Sequence, residues 1–340
     1  MEQIFELPLL VEGYEIERLT SAYERETMQV RLLGGGHDGV GEDVSPFGGR
    51  FEPFAPPPPL ALSGEWTLGG FCAHVSALDQ WAAPPQWEGM RRFRNWAFES
   101  AALDLAVRQD GRTLPEILSR RPRPVRFVNS LGLGDPPAFD ALQARLARYP
   151  ELRFKLDADA RWTPELVDAL AATGAVDIVD FKGQYGLEVA DEAQLARMYA
   201  YVLERFPDAL LEDPHDAPAI APLVAPHAAR VSYDAPIREA ADIAARPHAT
   251  RTINVKPSRI GSLAALFAIY EHCEREGVRM YGGGMGELGV GRGQAQLLAS
   301  MFHPDSPNDI APSAYNEPAL TDGLPASPLA PPPAPFGFRW

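Results

Sequence analysis

The sequence contains very little cysteine, with only Cys72 and Cys273 among 340 residues. Two isolated cysteines exclude a disulfide framework, and neither a CxxC pair nor a His/Cys ligand spacing suggests a zinc site. No apolar run reaches the roughly 18 to 20 residues that a bilayer span needs. The first residues carry neither the basic segment nor the small-residue cleavage site of a secretory signal. These absences predict a cytoplasmic protein without a membrane segment.

Basic residues are few relative to acidic ones. The chain has 31 basic and 46 acidic side chains, which gives a net charge of −15 at pH 7. This charge repels phosphate backbones and anionic lipid, so neither nucleic acid nor a membrane surface is an expected partner. Proline is abundant, with 34 residues, and it forms one run at positions 56–59 and a second cluster in the tail at 325–335. Such runs favour extended surface segments over core elements.

The first third of the chain mixes strand and helix patterns. Residues 14–19 and 28–33 alternate between apolar and polar side chains, and a glycine-rich turn follows at 34–39. Helical spacing then covers residues 95–109. The mixture predicts an α+β domain over residues 1–120, which includes the proline-rich loop.

From residue 121 onward, short apolar runs alternate with helical segments. The predicted strands are 125–130, 152–157, 176–181, 209–212, 230–234, 252–256 and 278–281. This alternation predicts a parallel sheet, and seven strands within about 160 residues favour a closed α/β barrel over an open sheet. Neither GxGxxG nor GxxxxGK[ST] is present to support a nucleotide-binding fold. We therefore expect a barrel over residues 121–310 and a proline-rich segment over 311–340 that returns to the first domain.

Charged residues stand at the ends of several predicted strands. Lys155, Asp180, Glu212, Asp234 and Lys256 each lie at or near the C-terminal end of a different strand. In a barrel those ends meet at one mouth, where active sites are built. Three carboxylates at one mouth suit Mg²⁺, a hard cation that prefers oxygen ligands. A single acidic residue at a strand end is most simply explained as the N-cap of the next helix. An acidic residue at the same position in three consecutive strand–helix units favours a metal site instead.

Lys155 and Lys256 close apolar strands, where a lysine is costly unless it is paired or functional. A metal ion or a neighbouring positive charge lowers the pKa of such a lysine and makes it a usable base near neutral pH. The alternative is that both lysines form structural salt bridges with the carboxylates.

Several motifs together resemble the enolase superfamily, and within it the muconate-lactonizing-enzyme-like branch of the mandelate racemase/muconate lactonizing enzyme family. LLEDP at 210–214, SYDAP at 232–236 and INVKPSRIGSL at 253–263 resemble the strands that carry two metal ligands and a lysine. YGGGMGELGVGRGQ at 281–294 resembles the next strand segment, with Glu287 at its usual acid. Residues 34–44 and 95–118 resemble the capping domain and the helix that leads from it to the barrel.

The resemblance implies a fold and a half-reaction. The fold is α/β, a modified TIM barrel (β/α)₇β with an α+β N-terminal capping domain. Mg²⁺ would be held by Asp180, Glu212 and Asp234 while Lys155 and Lys256 remove and return the α-proton of a carboxylate substrate through an enediolate. Epimerisation or racemisation, cycloisomerisation, and dehydration of the o-succinylbenzoate-synthase type all remain open. The resemblance also implies a homo-oligomer.

The second predicted strand departs from the family pattern. Arg153 stands where the family has the first lysine of Lys-x-Lys, and a guanidinium supplies charge but no base. Alternation places Arg153, Lys155 and Asp157 on one face of this strand. Asp157 is an alternative first metal ligand, because residues 156–165 resemble the family's third-strand segment. Counting strands from residue 125 favours Asp180.

Four residues are expected to contact the substrate: Arg153, Asp157, Lys182 and Glu287. Lys182 shares a face with Asp180, although a lysine that extends along the surface is an alternative. A second expectation concerns the proline-rich loop, where Phe47, Phe51 and Phe54 would line a lid over the substrate. A proline-rich loop without fixed structure is the alternative there.

Two other functions remain open. A sugar-acid dehydratase of this superfamily would carry a His–Asp pair on the sixth and seventh strands, which the sequence lacks. A catalytically inactive barrel used as a binding protein is favoured by Arg153 in place of lysine. The absence of an acid at Ala235, directly after Asp234, favours it too. An inactive barrel would bind Mg²⁺ weakly and exchange no proton at carbon.

Overall fold

A computed structural model describes residues 1–21, 25–46, 56–186, 191–247, 250–317, 319–333 and 336–340. The predicted lid residues Phe47, Phe51 and Phe54 lie outside these ranges. Within the described ranges, no helix combines the length and the apolar character that a membrane crossing requires.

The N-terminal part combines two antiparallel sheets with three helices. Its elements are β1 (Pro8–Val11), β2 (Gly13–Thr20), β3 (Glu26–Gly34), β4 (His37–Asp43), β5 (Gly64–Thr67), α1 (Leu68–Ala77), α2 (Gly89–Asp110) and α3 (Leu114–Ile117). Strands β2, β3 and β4 form a meander, and β1 pairs with β5. A Cβ atom at Gly41 would lie 2.0 Å from the carbonyl oxygen of Ala97 in α2. Glycine at this position therefore allows β4 to pack closely on α2.

Helix α2 is buried along most of its length and contacts both halves of the molecule. It ends at Gly111, whose φ of 78° is the left-handed conformation that favours glycine at a helix C-terminus. Near its middle, Glu99 accepts a hydrogen bond of 2.7 Å from the backbone N–H of Leu263. This contact ties the N-terminal part to the rest of the chain, at the helix that begins at Leu263.

The rest of the chain forms a parallel α/β unit. Its strands are β6 (Asn129–Leu131), β7 (Phe154–Asp157), β8 (Val176–Asp180), β9 (Leu210–Glu212), β10 (Val231–Ser232), β11 (Thr252–Val255) and β12 (Arg279–Gly282). Strands β6 to β10 pair in chain order, and β11 pairs with β12. Isolated parallel bridges join Tyr233 to Ile253, Phe127 to Asn308, and Gly283 to Asp309. The observed architecture is a TIM-barrel-like α/β fold with an N-terminal cap.

Helices follow most of these strands and cover the apolar faces. They are α4 (Asp140–Arg148), α5 (Pro164–Ala172), α6 (Glu192–Arg205), α7 (Ala221–Val224), α8 (Ala240–Ala244), α9 (Pro257–Ile260), α10 (Leu263–Glu276) and α11 (Val290–Phe302). Side chains of Thr163, Asp191 and Ser262 cap the N-termini of α5, α6 and α10. These caps end each connecting loop at a defined residue and so fix where the next helix begins.

The first barrel strand differs from the prediction of 125–130, because β6 covers only Asn129–Leu131. Residues 125 and 127 make isolated bridges instead, antiparallel to Leu329 and parallel to Asn308. Residues 125 and 127, which the sequence pattern assigned to this strand, therefore pair with the C-terminal part of the chain. Beyond it, the N–H of Phe338 donates to Asp104 of α2 at 2.7 Å, so the end of the described chain contacts the cap.

Candidate metal and acid–base site

Three carboxylates converge at the C-terminal ends of neighbouring strands. Asp180 ends β8, Glu212 ends β9, and Asp234 lies two residues after β10. Asp180 pairs with Glu212 in the sheet register, which places the two strand ends level. All three side chains are fully buried, and one oxygen of each lies within 4.8 Å of the others. A buried cluster of oxygen donors without Cys or His fits a hard divalent cation.

The chain has only three lysines, and the structure brings all of them to this triad. The Nζ of Lys155 hydrogen-bonds to Glu212 and lies 3.1 Å from Oδ2 of Asp180. The Nζ of Lys256 donates to Oδ2 of Asp234 at 2.8 Å, and that of Lys182 donates to Oδ2 of Asp180 at 2.6 Å. Each carboxylate of the triad thus has a lysine partner, which offsets their mutual repulsion.

The close charges shift the pKa values in opposite directions. Burial acts to lower the pKa of Lys155, but Asp180 and Glu212 outweigh it and hold this pKa well above its ordinary value. Burial raises the pKa of Glu212 to about 8, against the opposing effect of Lys155. Burial acts to raise the pKa of Asp180 as well, but Lys155 and Lys182 lower it to about 2. As long as these carboxylates are free to pair with it, Lys155 favours the ammonium form.

Arg259 and Tyr185 surround Asp234, and sequence reasoning missed both. Nη1 of Arg259 lies 2.6 Å from Oδ1 of Asp234, and its Nη2 donates to the Tyr185 hydroxyl at 2.9 Å. That hydroxyl donates in turn to Oδ2 of Asp234 at 3.2 Å. Burial acts to raise the pKa of Asp234, but Arg259 and Lys256 hold it well below its usual range. The position of Arg259, three residues after Lys256, was the signal that could have identified it.

Glu212 is fixed by neutral side chains that sequence reasoning also missed. The Tyr281 hydroxyl donates to its Oε2 at 2.5 Å, and Nδ2 of Asn254 approaches its Oε1 at 3.3 Å. Ser232 Oγ lies 3.0 Å from the same hydroxyl. Asn254 lies on β11 and Tyr281 on β12, so these strands set the orientation of a carboxylate on β9.

Two predicted substrate contacts, Arg153 and Asp157, are not members of the triad. The guanidinium of Arg153 bonds to Asp177 and to the carbonyl oxygen of Gly174, near the N-terminal ends of β7 and β8. Alternation predicts which face of a strand a side chain lies on, but Arg153 precedes β7 and so lies at the opposite end of this strand from the triad. Asp157 ends β7, is partly exposed, and lies 3.0 Å from Nζ of Lys182. The structure brings neither residue into the triad.

The other two predicted substrate contacts, Lys182 and Glu287, lie beside the site. Lys182 adopts φ of 56°, a conformation that is costly for lysine and turns the chain directly after β8. Glu287 is buried in the loop after β12, where its Oε1 accepts a hydrogen bond of 2.8 Å from the N–H of Met285. Ser258 Oγ, two residues after Lys256, approaches the same oxygen at 3.3 Å.

Asp309 also reaches the site, although no predicted strand included it. Its Oδ2 lies 3.5 Å from Nζ of Lys155. It follows α11 by several residues and forms the bridge to Gly283. A single bridging residue leaves no hydrophobic alternation in the sequence, so the strand pattern gave no signal for it.

Curated relatives include two N-succinylamino acid racemases and three o-succinylbenzoate synthases. The protein from Amycolatopsis sp is 30% identical over 230 residues, which cover 65% of this chain and 61% of that protein. The protein from Thermus thermophilus is 28% identical over 329 residues, which cover 91% of this chain and 84% of that protein. The chain thus spans somewhat less than two thirds of the first relative and most of the second.

Solved structures share the fold. A crystal structure described as an unknown member of the enolase superfamily from Enterococcus faecalis V583 aligns with a TM-score of 0.60 at 22% identity. The alignment covers 90% of this chain and 87% of that one. Structures described as mandelate racemase/muconate lactonizing proteins align as well. The predicted resemblance to the enolase superfamily is thus confirmed at the level of the fold.

Two family descriptions cover most of the sequence. "Domain of unknown function (DUF8230) N-terminal domain" matches residues 2–117, and its C-terminal counterpart matches residues 121–317. The second match alone spans more than half of the chain. The protein, with its cap, its parallel α/β unit and its triad of buried carboxylates, therefore belongs to the DUF8230 family.

Proposed function

We propose that this protein is a Mg²⁺-dependent isomerase or lyase that removes the α-proton of a small carboxylate substrate. The observation that carries the proposal is the pairing of Lys155 and Lys256 with the buried triad of Asp180, Glu212 and Asp234. The racemase relatives support it independently.

We also propose that the strands close into a (β/α)₇β barrel. The bridge between Tyr233 and Ile253 supports a junction of β10 with β11. Residues 308 and 309 bridge to Phe127 and to Gly283, which supports a final strand between β12 and β6. The division of the chain after residues 120 and 310 stays a prediction, as do the homo-oligomer and the cytoplasmic location.

Asp180, Glu212 and Asp234 would hold the cation. When bound, Mg²⁺ would neutralise the negative charge that develops on the substrate carboxylate as the α-proton leaves. Tyr281 and Asn254 hold Glu212 in place, and Arg259 holds Asp234. Oxygen donors alone make Mg²⁺ the preferred ion over zinc.

Lys155 and Lys256 would move the proton. Lys155 lies on β7 and Lys256 follows β11, so the two Nζ atoms reach the triad from different strands. One lysine, as the amine, takes the α-proton, and the other, as the ammonium, returns a proton to the opposite face. In racemisation the substrate keeps its composition. In a dehydration, the returned proton leaves with the hydroxyl group as water.

N-succinylamino acids are the first substrates to assay, because two of the relatives are named N-succinylamino acid racemases. Lys182 and Arg259 supply positive charge beside the triad, which fits an anionic substrate. Cycloisomerisation and dehydration of the o-succinylbenzoate-synthase type use the same pair of lysines. The sugar-acid dehydratase and the inactive barrel are less well supported, because both lysines and all three carboxylates are assembled.

Deuterium exchange at carbon tests the proposed function. The protein is incubated with Mg²⁺ and N-succinyl-phenylalanine in D₂O, and uptake is read by mass spectrometry. We expect uptake in the wild type and its loss, from one enantiomer or both, in Lys256→Ala and Lys155→Ala. Uptake that persists unchanged in both variants would exclude the assigned lysines.

Metal titration tests the ligand assignment separately. Mn²⁺ serves as a paramagnetic stand-in for Mg²⁺, and free ion is measured by electron paramagnetic resonance. We expect Asp180→Asn to weaken binding at least about tenfold, because it removes a ligand oxygen from the triad. Asp157→Asn, an equal loss of charge one strand away, should change affinity less than about threefold. The reverse ranking would make Asp157 the first metal ligand.

A further inference from the structure

Asp309 is a buried carboxylate that the proposed reaction does not yet use. Three carboxylates contact Nζ of Lys155 in the described part of the chain: those of Asp180, Glu212 and Asp309. The first two belong to the metal-binding triad, and Asp309 does not. Asp309 is therefore the partner of Lys155 that stays available when the triad binds a cation.

The backbone of Asp309 is fixed independently of the triad. Its N–H donates to the carbonyl oxygen of Gly282 at 2.7 Å, and its own carbonyl oxygen accepts from Gly284 at 3.2 Å. The preceding residue, Asn308, is also anchored, since its Oδ1 accepts from the N–H of Gly282 at 2.6 Å. Arg292 Nη1 approaches the Asp309 carbonyl at 3.4 Å. The carboxylate thus starts from a backbone that metal binding does not need to move.

The partners of Lys155 come from two directions in the sheet. Asp180 and Glu212 lie on β8 and β9, which follow β7 on one side. Asp309 belongs to the bridging segment beyond β6, on the other side. If Lys155 were paired only with Asp180 and Glu212, its Nζ would lie close to the cation ligands. Asp309 attracts the Nζ from the opposite side. Ion-pair partners on two sides restrict the orientation of a flexible side chain.

We infer that Asp309 is a positioning residue that orients Lys155 for proton transfer on one face of the substrate. The inference rests on the proposed function. It is specific to one face, because Lys256 forms its ion pair with Asp234, and among the described residues no ion pair within 4.0 Å joins Lys256 to Asp309. Asp309 should therefore influence the enantiomer whose proton Lys155 removes and leave the other one unchanged.

Enantiomer-resolved exchange tests this assignment. The protein with Mg²⁺ in D₂O is given N-succinyl-L-phenylalanine or its D form, and initial exchange rates are followed by proton NMR over a range of concentrations. Lys155→Ala and Lys256→Ala identify which enantiomer each lysine serves. We expect Asp309→Asn to lower kcat about 10- to 100-fold for the Lys155 enantiomer, with KM within about threefold. Asp309→Glu should recover part of the loss.

Two controls separate positioning from folding. Asp305→Asn removes the same charge four residues away, where Asp305 is exposed and pairs with Arg123, and should behave as the wild type. Mn²⁺ affinity in Asp309→Asn should equal that of the wild type, which shows that the triad is intact. Equal loss on both enantiomers, or no loss on either, would overturn the inference.

A spectroscopic readout makes the inference independent of turnover. With three lysines in the chain, ¹³C-lysine labelling gives few ε-carbon signals, and Lys155→Arg assigns the one from Lys155. In Mg²⁺-loaded protein this signal should shift in Asp309→Asn and stay in place in Asp305→Asn. An unmoved signal would overturn the role of Asp309. Absence of exchange in the wild type would instead count against the proposed function, even where the Lys155 signal does shift.

Discussion

The carboxylate of Glu42 accepts a hydrogen bond of 2.6 Å from the backbone N–H of Leu288. Glu42 lies on β4 in the cap, and Leu288 precedes α11 in the barrel. The same carboxylate accepts from the N–H groups of Gly289 and Gly291, at 3.0 and 2.9 Å. No side chain of α11 itself caps this helix. The cap thus supplies the N-terminal capping group of a helix in the parallel α/β unit, and joins the two parts at the loop that carries Glu287.

Glu42→Ala should lower the free energy of unfolding by about 2 kcal/mol, because it removes a helix cap and leaves buried N–H groups without an acceptor. Urea denaturation followed by circular dichroism measures this. Glu17→Ala, at an exposed position on β2 of the same sheet, is the control and should change stability by less than about 0.5 kcal/mol. Equal effects of the two substitutions would show that the bonds to α11 add nothing to stability.

Gly283→Ala should impair the lysine that follows β11. A Cβ atom at this position would lie 2.5 Å from Cε of Lys256 and 2.4 Å from Oδ1 of Asn254, so the lysine must move. We expect the exchange rate of the enantiomer served by Lys256 to fall at least tenfold, because moving a reacting group by about 1 Å lowers the rate by as much as about 100-fold. Gly132→Ala is the matched control, since no atom lies within 4 Å of the added methyl group. Wild-type exchange in Gly283→Ala would contradict this placement of Lys256.

Phe338→Ala should destabilise the fold by about 3 kcal/mol or more, because the ring is fully buried against the core and its loss leaves a cavity. Two residues earlier, Phe336 is 48% exposed and packs on the guanidinium of Arg108. Phe336→Ala should therefore cost no more than about 1 kcal/mol. Thermal and urea unfolding of the two variants compare them directly. Similar losses in both would mean that the C-terminal segment does not dock as described.

His303 should make stability depend on pH below neutrality. Burial lowers its pKa from 6.5 to about 4 in the folded state. Because the folded state favours the neutral ring, the contribution of His303 to the free energy of unfolding is complete above pH 6.5. This contribution is lost as the pH falls toward 4. The full loss is about 3 kcal/mol. Unfolding free energies of the wild type and His303→Gln, measured from pH 7 to 4.5, should converge as the pH falls. A constant difference would exclude a buried neutral His303.

Much of the fold was predictable because strands and helices leave periodic patterns. The predicted strands at 152–157, 176–181 and 252–256 contain β7, β8 and β11. The first strand was misplaced, because residues 125 and 127 bridge to Leu329 and Asn308, and such long-range pairing has no local signal. The same reason explains why Asp309 was missed.

The residues of the candidate site that lie at strand ends could be predicted from the sequence. Asp180 and Glu212 end strands in the sheet, and alternation of strands and helices was enough to group them with Lys155. Arg153 was placed by alternation, which gives the face of a strand but not its end, and it precedes β7 at the N-terminal end of that strand. Tyr185 and Tyr281 reach the carboxylates through their hydroxyl groups. Which tyrosines do so depends on tertiary packing that residue spacing does not encode.

The gathering of Lys155, Lys182 and Lys256 at one site has a practical consequence for covalent chemistry. A reagent that acylates amines finds no lysine elsewhere in the sequence, and its reaction with side chains therefore reports on this site alone. Lys182 is the accessible member, with 32% of its side chain exposed, whereas Lys155 is almost fully buried. Protection of Lys182 from acylation by an added carboxylate would thus reveal occupancy by compounds that are bound but never converted.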